Sequence, residues 1–448
     1  MENEGFVKKN PDNLNFFIHT GILFIQYSLI RLIGACMNTE EESKPLLLIF
    51  PFGLLSHYLR CLMLAKHFRT YFRVLFAYNE QFADFVARED FQTFSCLSLD
   101  AAAVLQGVKK FSFSWINESS LEPVYLDQVR VIRLLKPAAV LGDTSLTLKM
   151  AAEKAGVPYI SLMNGYMSKY YSFPRQLSRT HPMYKYVKTF PVPIANLLTQ
   201  RGEAFAFSKV HRPFKMIRRR HQLSSKKDYL DELEGNLNLI CDLDDLFPQK
   251  KYPSNYRQIA PLYYEPTRLD EGLADRLDSR KKTIFVSMGS SGDWDRLCFL
   301  NEPVFQKYNI IAAADKDHFL SASHIIRVPF VNVHELFPFA DLVICHGGNG
   351  TIYQALLYGI PVLCSTSHFE QEWNVEALER LHLGKSLDGV EGLEDYLEII
   401  EEWLSRKGKG SYTGYRSKIV QQILELDVTV KRIAEEILEP RYKFFSIT

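Results

Sequence analysis

Residues 342–351 read Leu342-Val343-Ile344-Cys345-His346-Gly347-Gly348-Asn349-Gly350-Thr351. A short apolar run of this kind, closed by glycines and followed by the helix-like Ile352-Tyr353-Gln354-Ala355-Leu356-Leu357, predicts a buried strand feeding through a tight turn into a helix. Such a junction leaves the first N–H groups of the helix unpaired and pointing at one spot, with the positive end of the helix dipole behind them. An anion such as a diphosphate is favoured there. The glycines permit close approach, His346 can donate a hydrogen bond and Thr351 offers a hydroxyl. A turn with no role beyond its geometry would read the same way, so these residues speak first to fold class.

Working outward, the chain from Pro45 alternates short apolar runs with amphipathic segments, the pattern of parallel sheets covered by helices. The first half offers strands near Leu46–Phe50, Val74–Ala77, Ala139–Leu141 and Tyr159–Leu162, with helices near Ser56–Phe68, Leu121–Leu135 and Ser145–Ala155. A second series runs through Thr283–Met288, Ile310–Ala313, Ile325–Val328, Leu342–Cys345 and Val362–Cys364, with helices near Val333–Phe337, Thr351–Leu357, Glu370–Leu381 and Glu391–Leu404. Between them, Lys250 to Lys282 carries Pro253, Pro261 and Pro266 among scattered charges, as a linker would. The expected organisation is an N-terminal extension over residues 1–40, a doubly wound domain over 41–255, a linker over 256–282, a second doubly wound domain over 283–432 and a tail over 433–448.

Composition narrows the function. With 448 residues, 53 Lys+Arg against 52 Asp+Glu and a net charge of +1, the chain is neither disordered nor a cationic nucleic-acid binder. The seven cysteines include no Cys-x-x-Cys pair and are scattered through apolar stretches, which reads as reduced thiols in a cytoplasmic protein. Phe16 to Ile33 is apolar but broken by His19, Gln26 and Arg31, so a packed helix, or an extension preceding a true start at Met37, is expected rather than a membrane span or lipoprotein signal. The basic run Lys209–Lys227 reads first as a solvated helix face and second as a patch for peripheral membrane contact.

The longer stretch Phe330–Leu387 resembles the donor-binding signature of the UDP-glycosyltransferase family. The resemblance rests on His346-x-Gly348-x-x-Thr351, Tyr358-Gly359-Ile360-Pro361, and Glu370-Gln371 followed by Asn374. It continues more loosely through Phe285–Ser291 and Leu237–Pro266. It implies the GT-B fold, an α/β architecture of two Rossmann-like doubly wound domains facing a central cleft. It also implies a nucleotide-sugar donor held by the C-terminal domain and a small-molecule acceptor held by the N-terminal one. Carried over by position, Ser290, His346, Thr351 and the turn Gly347–Gly350, with Asn349 inside it, would hold the diphosphate. Phe330 would stack on the nucleobase, and Glu370 with Gln371 would bind sugar hydroxyls. Gln354 stands where the family usually has a ribose-binding Glu, and Asn332-Val333 stands where Pro-Gln is common.

In the first half, Phe50-Pro51-Phe52-Gly53-Leu54-Leu55-Ser56-His57 resembles the segment that carries the family's catalytic histidine. Transfer to a hydroxyl needs a base that takes the acceptor proton, and imidazole suits the task. Asp143, ending the strand Val140-Leu141-Gly142, stands where the family places the partner of that histidine, although it could equally cap the next helix. Arg60 replaces a common Pro. The rival Asp242-Leu243-Asp244 imitates a cation-binding Asp-x-Asp, but two carboxylates are few for a hard cation. The reading is an inverting, metal-independent hexosyltransferase that needs no cofactor and binds no nucleic acid. The alternatives are a GT-B relative with other chemistry, such as a lipid-linked or peptidoglycan-type transferase or a sugar-nucleotide epimerase, and a catalytically silent nucleotide-sugar binder.

Overall fold

Seven parallel strands form the first sheet: β1 (Leu46–Pro51), β2 (Arg73–Ala77), β3 (Gln92–Phe94), β4 (Ala139–Asp143), β5 (Tyr159–Met163), β6 (Leu237–Ile240) and β7 (Tyr256–Gln258), in the order β3-β2-β1-β4-β5-β6-β7. Six more form the second: β8 (Thr283–Ser287), β9 (Asn309–Ala313), β10 (Ile325–Val328), β11 (Leu342–Cys345), β12 (Val362–Cys364) and β13 (Gly384–Ser386), in the order β10-β9-β8-β11-β12-β13. The structure is a computed structural model and describes residues 43–265, 272–289, 291–314, 320–329, 331–408 and 411–439. Two of the expected site residues, Ser290 and Phe330, lie outside the described residues, as does the expected extension over residues 1–40.

Both sheets are covered on both faces, which is why their strands read as unbroken apolar runs. Leu47 and Ile49 of β1 enter one core cluster while Leu46, Leu48 and Phe50 enter the cluster on the opposite face. In the second sheet Val343 and Cys345 pack to one side, Leu342 and Ile344 to the other. At about 1.5–3 kcal/mol per fully buried aliphatic side chain, these central strands anchor each half.

The domain boundaries differ from the sequence-based ones at both ends. β7 lies beyond residue 255 yet pairs with β6 in the first sheet. The C-terminal helix Ser411–Leu438 crosses between the halves: Tyr412 and Ile419 pack in the second core, and Leu426, Val430, Ile433 and Ala434 in the first. The helix therefore runs through Leu438, past the expected boundary at 432, with Ile433 and Ala434 buried against the first core.

The strand orders place the functional positions. Ligands of open parallel sheets bind outside the carboxyl ends of strands where the order reverses. In the first sheet that point lies between β1 and β4, whose ends carry His57 and Asp143. In the second it lies between β8 and β11, whose ends carry the Gly289 loop and His346.

Candidate active site

His57 sits in the first turn of the helix Leu55–Phe68, its ring edge-on to Phe52 at 5.5 Å. Register pairs Pro51 of β1 with Asp143 of β4, so the helix that starts just beyond β1 brings His57 Nδ1 to 2.9 Å from Asp143 Oδ1. Thr144, directly after Asp143, is held in the left-handed region at φ 54°, strain of a kind that collects at functional turns. With Nδ1 turned to the carboxylate, Nε2 is the nitrogen left to act as a base.

Arg60 is a third member of this group that sequence reasoning left unassigned. Its Nε and Nη2 donate to the two oxygens of Asp143, Nη1 donates to Asn164 Oδ1 at 2.7 Å, and Nη2 lies 3.2 Å from His57 Nδ1. Burial pushes the Asp143 carboxyl up, but Arg60 and His57 outweigh it and hold it down at about 2. The carboxylate therefore stays charged across the physiological range. The spacing of His57 and Arg60, three apart on one helix, was the available signal.

Across the cleft, the turn after β11 enters the helix Asn349–Leu357. Gly347 has φ +86°, a conformation that side chains other than glycine rarely adopt, and a Cβ there would lie 3.2 Å from the Gln371 carbonyl oxygen. Gly289, at φ +53°, packs so closely on the His346 ring that a Cβ would stand 2.6 Å from Cε1. Burial pushes the His346 imidazole down to about 4, so it faces the cleft neutral.

One cleft of about 510 Å³ is lined by His57, Arg60, Asn164, Tyr166, Gly348–Thr351, Gln354, His346, Glu370 and Gln371. It also holds polar atoms with no protein partner: His346 Nδ1, His368 Nδ1 and Asn374 Oδ1 are buried and unpaired among the described residues, and all three residues line it. Orphaned buried groups converging on one cavity call for a polar ligand. His368 was not expected from sequence, and its imidazole is likewise pushed down to about 4 by burial.

Several expected donor residues are partly committed within the protein. Gln371 receives Ser367 N–H at 2.7 Å and donates to Ser291 Oγ at 3.0 Å, so its amide braces the turn after β8. Gln354 Nε2 donates to the Tyr264 carbonyl at 3.1 Å, leaving its Oε1. Glu370 lies 3.5 Å from Tyr166 OH, and burial raises its pKa. Asn349 Nδ2 donates to Asp242 Oδ1 at 3.0 Å.

That last bond explains the Asp-x-Asp. Asp242 is fully buried, and its oxygens accept from Gly165 N–H at 2.6 Å, Tyr353 OH at 2.9 Å, Asn349 and Asn164. Asp244 is exposed and receives Gln249 N–H at 3.2 Å. The two carboxylates do different work: Asp242, at the end of β6, ties the first half of the chain to the helix of the glycine turn in the second.

Residues 280–397 match the glycosyltransferase family 28 C-terminal domain. Over this stretch the chain is similar to glycosyltransferases. A PGL/p-HBAD biosynthesis glycosyltransferase of Mycobacterium tuberculosis is 28% identical over 275 residues, covering 60% of this chain and 63% of that protein. A PGL/p-HBAD biosynthesis rhamnosyltransferase of Mycobacterium bovis is 28% identical over 261 residues, 57% of each chain. The match thus spans less than two thirds of the length of these relatives. Among solved structures, a spinosyn forosaminyltransferase superposes with a TM-score of 0.63 at 16% identity over 89% of this chain and 100% of its own, which establishes the two-domain GT-B fold. Among the described residues, no helix is long and apolar enough to cross a membrane.

Proposed function

We propose that this protein is a cytoplasmic inverting glycosyltransferase that moves a hexose from a UDP-sugar to a hydroxyl of a small, apolar acceptor. The observation that carries the reading is that the His57–Asp143 pair and the His346 turn open into one cleft from opposite halves. In this scheme the acceptor oxygen attacks the anomeric carbon as His57 Nε2 takes its proton, and the bond to the diphosphate breaks with its electron pair leaving on the phosphate oxygen. The N–H groups at the start of the Asn349–Leu357 helix, His346, Thr351 and, by the resemblance, Ser290 would stabilise that leaving group. Phe330 would stack on the base and Gln354 would reach the ribose. Glu370 would hold sugar hydroxyls, with Gln371 presenting or bracing the same edge. Leu54, Leu55, Leu59 and Leu262 give the acceptor end its apolar character. The N-terminal half takes the acceptor and residues 283 onward the donor.

A second reading, a silent nucleotide-sugar binder, is favoured by one feature: Arg60 already engages both oxygens of Asp143. Nucleoside diphosphate release from a UDP-hexose without acceptor separates the two. The transferase should release UDP slowly, continue in excess EDTA, and lose about 10²–10⁴ of its turnover in His57→Ala while still binding UDP. Binding without release in wild type leaves the silent reading, full activity in His57→Ala removes the base, and loss of activity with EDTA restored by manganese removes the metal-free mechanism.

A further inference from the structure

The helix Val192–Arg220 is 29 residues long, yet its buried residues are Val210, His211, Phe214, Ile217 and Arg218, all in its second half. The preceding part is held on one side only, by Asn196 to Gln176, Glu203 to Arg175 and Phe207 against Tyr229. Nine of the 21 large exposed apolar side chains among the described residues fall between Met183 and Met216, including Val192 at 71% and Phe205 at 63% exposure. Scattered exposed apolar residues are ordinary, but a concentration of this kind marks a contact surface.

The arrangement identifies the surface's partner. At about 100° per residue, Ile194, Leu197, Leu198, Arg201, Phe205, Lys209, Arg212 and Lys215 share one face of the helix, opposite the side that Phe214 and Ile217 bury. That outward face is apolar in its first half and basic in its second. Between Met183 and Met216 there are six cations, Lys185, Lys188, Arg201, Lys209, Arg212 and Lys215, and a single carboxylate, Glu203, which pairs with Arg175 at 3.0 Å. None of the six has a carboxylate partner among the described residues. Farther along, most of the basic run is paired: Arg218 with Glu232 and Glu153, Arg220 with Glu118 and Glu122, and Lys226 with Glu153. The free charge thus overlaps the first part of the expected Lys209–Lys227 patch and extends upstream of it to Lys185.

We propose that the outward face of residues 183–216 docks on an anionic lipid bilayer, inserting its apolar residues at the interface and setting its cations against lipid phosphates. A surface helix with apolar and cationic residues on one exposed side meets the needs of an interfacial anchor. A second copy of the chain fits worse, because a self-complementary contact over this face would supply no free carboxylate for its six cations.

Sedimentation of the full chain with vesicles tests this. Vesicles of phosphatidylcholine and phosphatidylglycerol (3:1) should capture the protein, and pure phosphatidylcholine vesicles should capture far less. Each Lys or Arg near an anionic surface strengthens binding about fivefold, so Lys209→Gln with Arg212→Gln should weaken partitioning roughly 25-fold, and 0.5 M salt should weaken it further. Leu197→Ser with Phe205→Ser should abolish capture while leaving thermal unfolding unchanged, since neither side chain is buried. Equal capture by both vesicle types, no capture at all, or variants that bind as wild type would overturn the proposal. So would a concentration-dependent dimer in solution that the Leu197→Ser, Phe205→Ser pair dissolves.

Discussion

Arg60→Met probes the centre of the candidate active site without touching any atom that the proposed reaction makes or breaks. Arg60 is 9% exposed and Asp143 is fully buried, and the two share a bidentate pair. Removing the guanidinium leaves a buried carboxylate with His57 and Thr144 as its remaining side-chain partners. Breaking a buried pair from one side costs about 3–5 kcal/mol. For a domain of this size that is a fall in Tm of roughly 6–20 °C. The pH dependence supplies an independent sign. A carboxyl held at about 2 rather than 3.8 contributes stability that is present above the unfolded value and is lost as pH falls through about 2. This gap is worth about 2 kcal/mol. Without Arg60, burial dominates and the carboxyl rises, so the loss on acidification should begin at higher pH than in wild type. Thermal unfolding followed from pH 3 to 8 would show both effects, and turnover at 20 °C should fall less than in His57→Ala. An unchanged Tm together with an unchanged acid limb would refute the pairing.

Three further outcomes follow from the same geometry. His346→Ala should weaken UDP binding about ten- to a hundredfold in calorimetric titration, since one hydrogen bond to a charged phosphate is removed. Gly347→Ala should cost about 1–2 kcal/mol of stability from its φ of +86° and should impair nucleotide binding, whereas Gly350→Ala, which has open space at its Cβ, should fold normally in the same melting assay. Asp242→Ala orphans four donors and should lower stability by several kcal/mol and weaken UDP binding, although Asp242 belongs to the other half of the chain.

What could be read in advance follows the range of the interactions concerned. The long apolar strands were legible because burial on both faces leaves an unbroken pattern, as in Leu46–Pro51 and Leu342–Cys345. The three-residue strands β3, β7 and β13 were not, because Gln92–Phe94, Tyr256–Gln258 and Gly384–Ser386 are too short and too polar to carry a period. The helix Val192–Arg220 was read as a basic run over part of its length. Pro193 at its start and Pro213 inside it look like breaks, and its exposed face is apolar where a solvated helix would be polar. Within the site, His346 stood out through its glycine turn, whereas His57 and Asp143 were expected through the family resemblance, and the structure brings those two into contact. Arg60 and Asp242 act through partners far away in sequence: Asp143 and Asn164 for the one, Asn349 and Tyr353 for the other. No local pattern encodes such pairs.

The Asp242 joint bears on how the two halves can move. Opening the cleft by separating the sheets must break the bonds from Asn349 and Tyr353 to Asp242, and each hydrogen bond to a charged group is worth about 1.5–3 kcal/mol. Their loss alone would keep a widely opened form below roughly 1% of molecules unless a ligand compensates. The same joint fixes the first turn of the Asn349–Leu357 helix, whose Asn349, Gly350 and Thr351 line the cleft, and through Asn164 it touches Arg60 and so the carboxylate beside His57. A chain of buried polar contacts thus runs from the glycine turn to the histidine of the other half. The glycine turn is therefore positioned by the half that carries the proposed base, and a mutation on either side of the joint should be felt at both ends of the cleft.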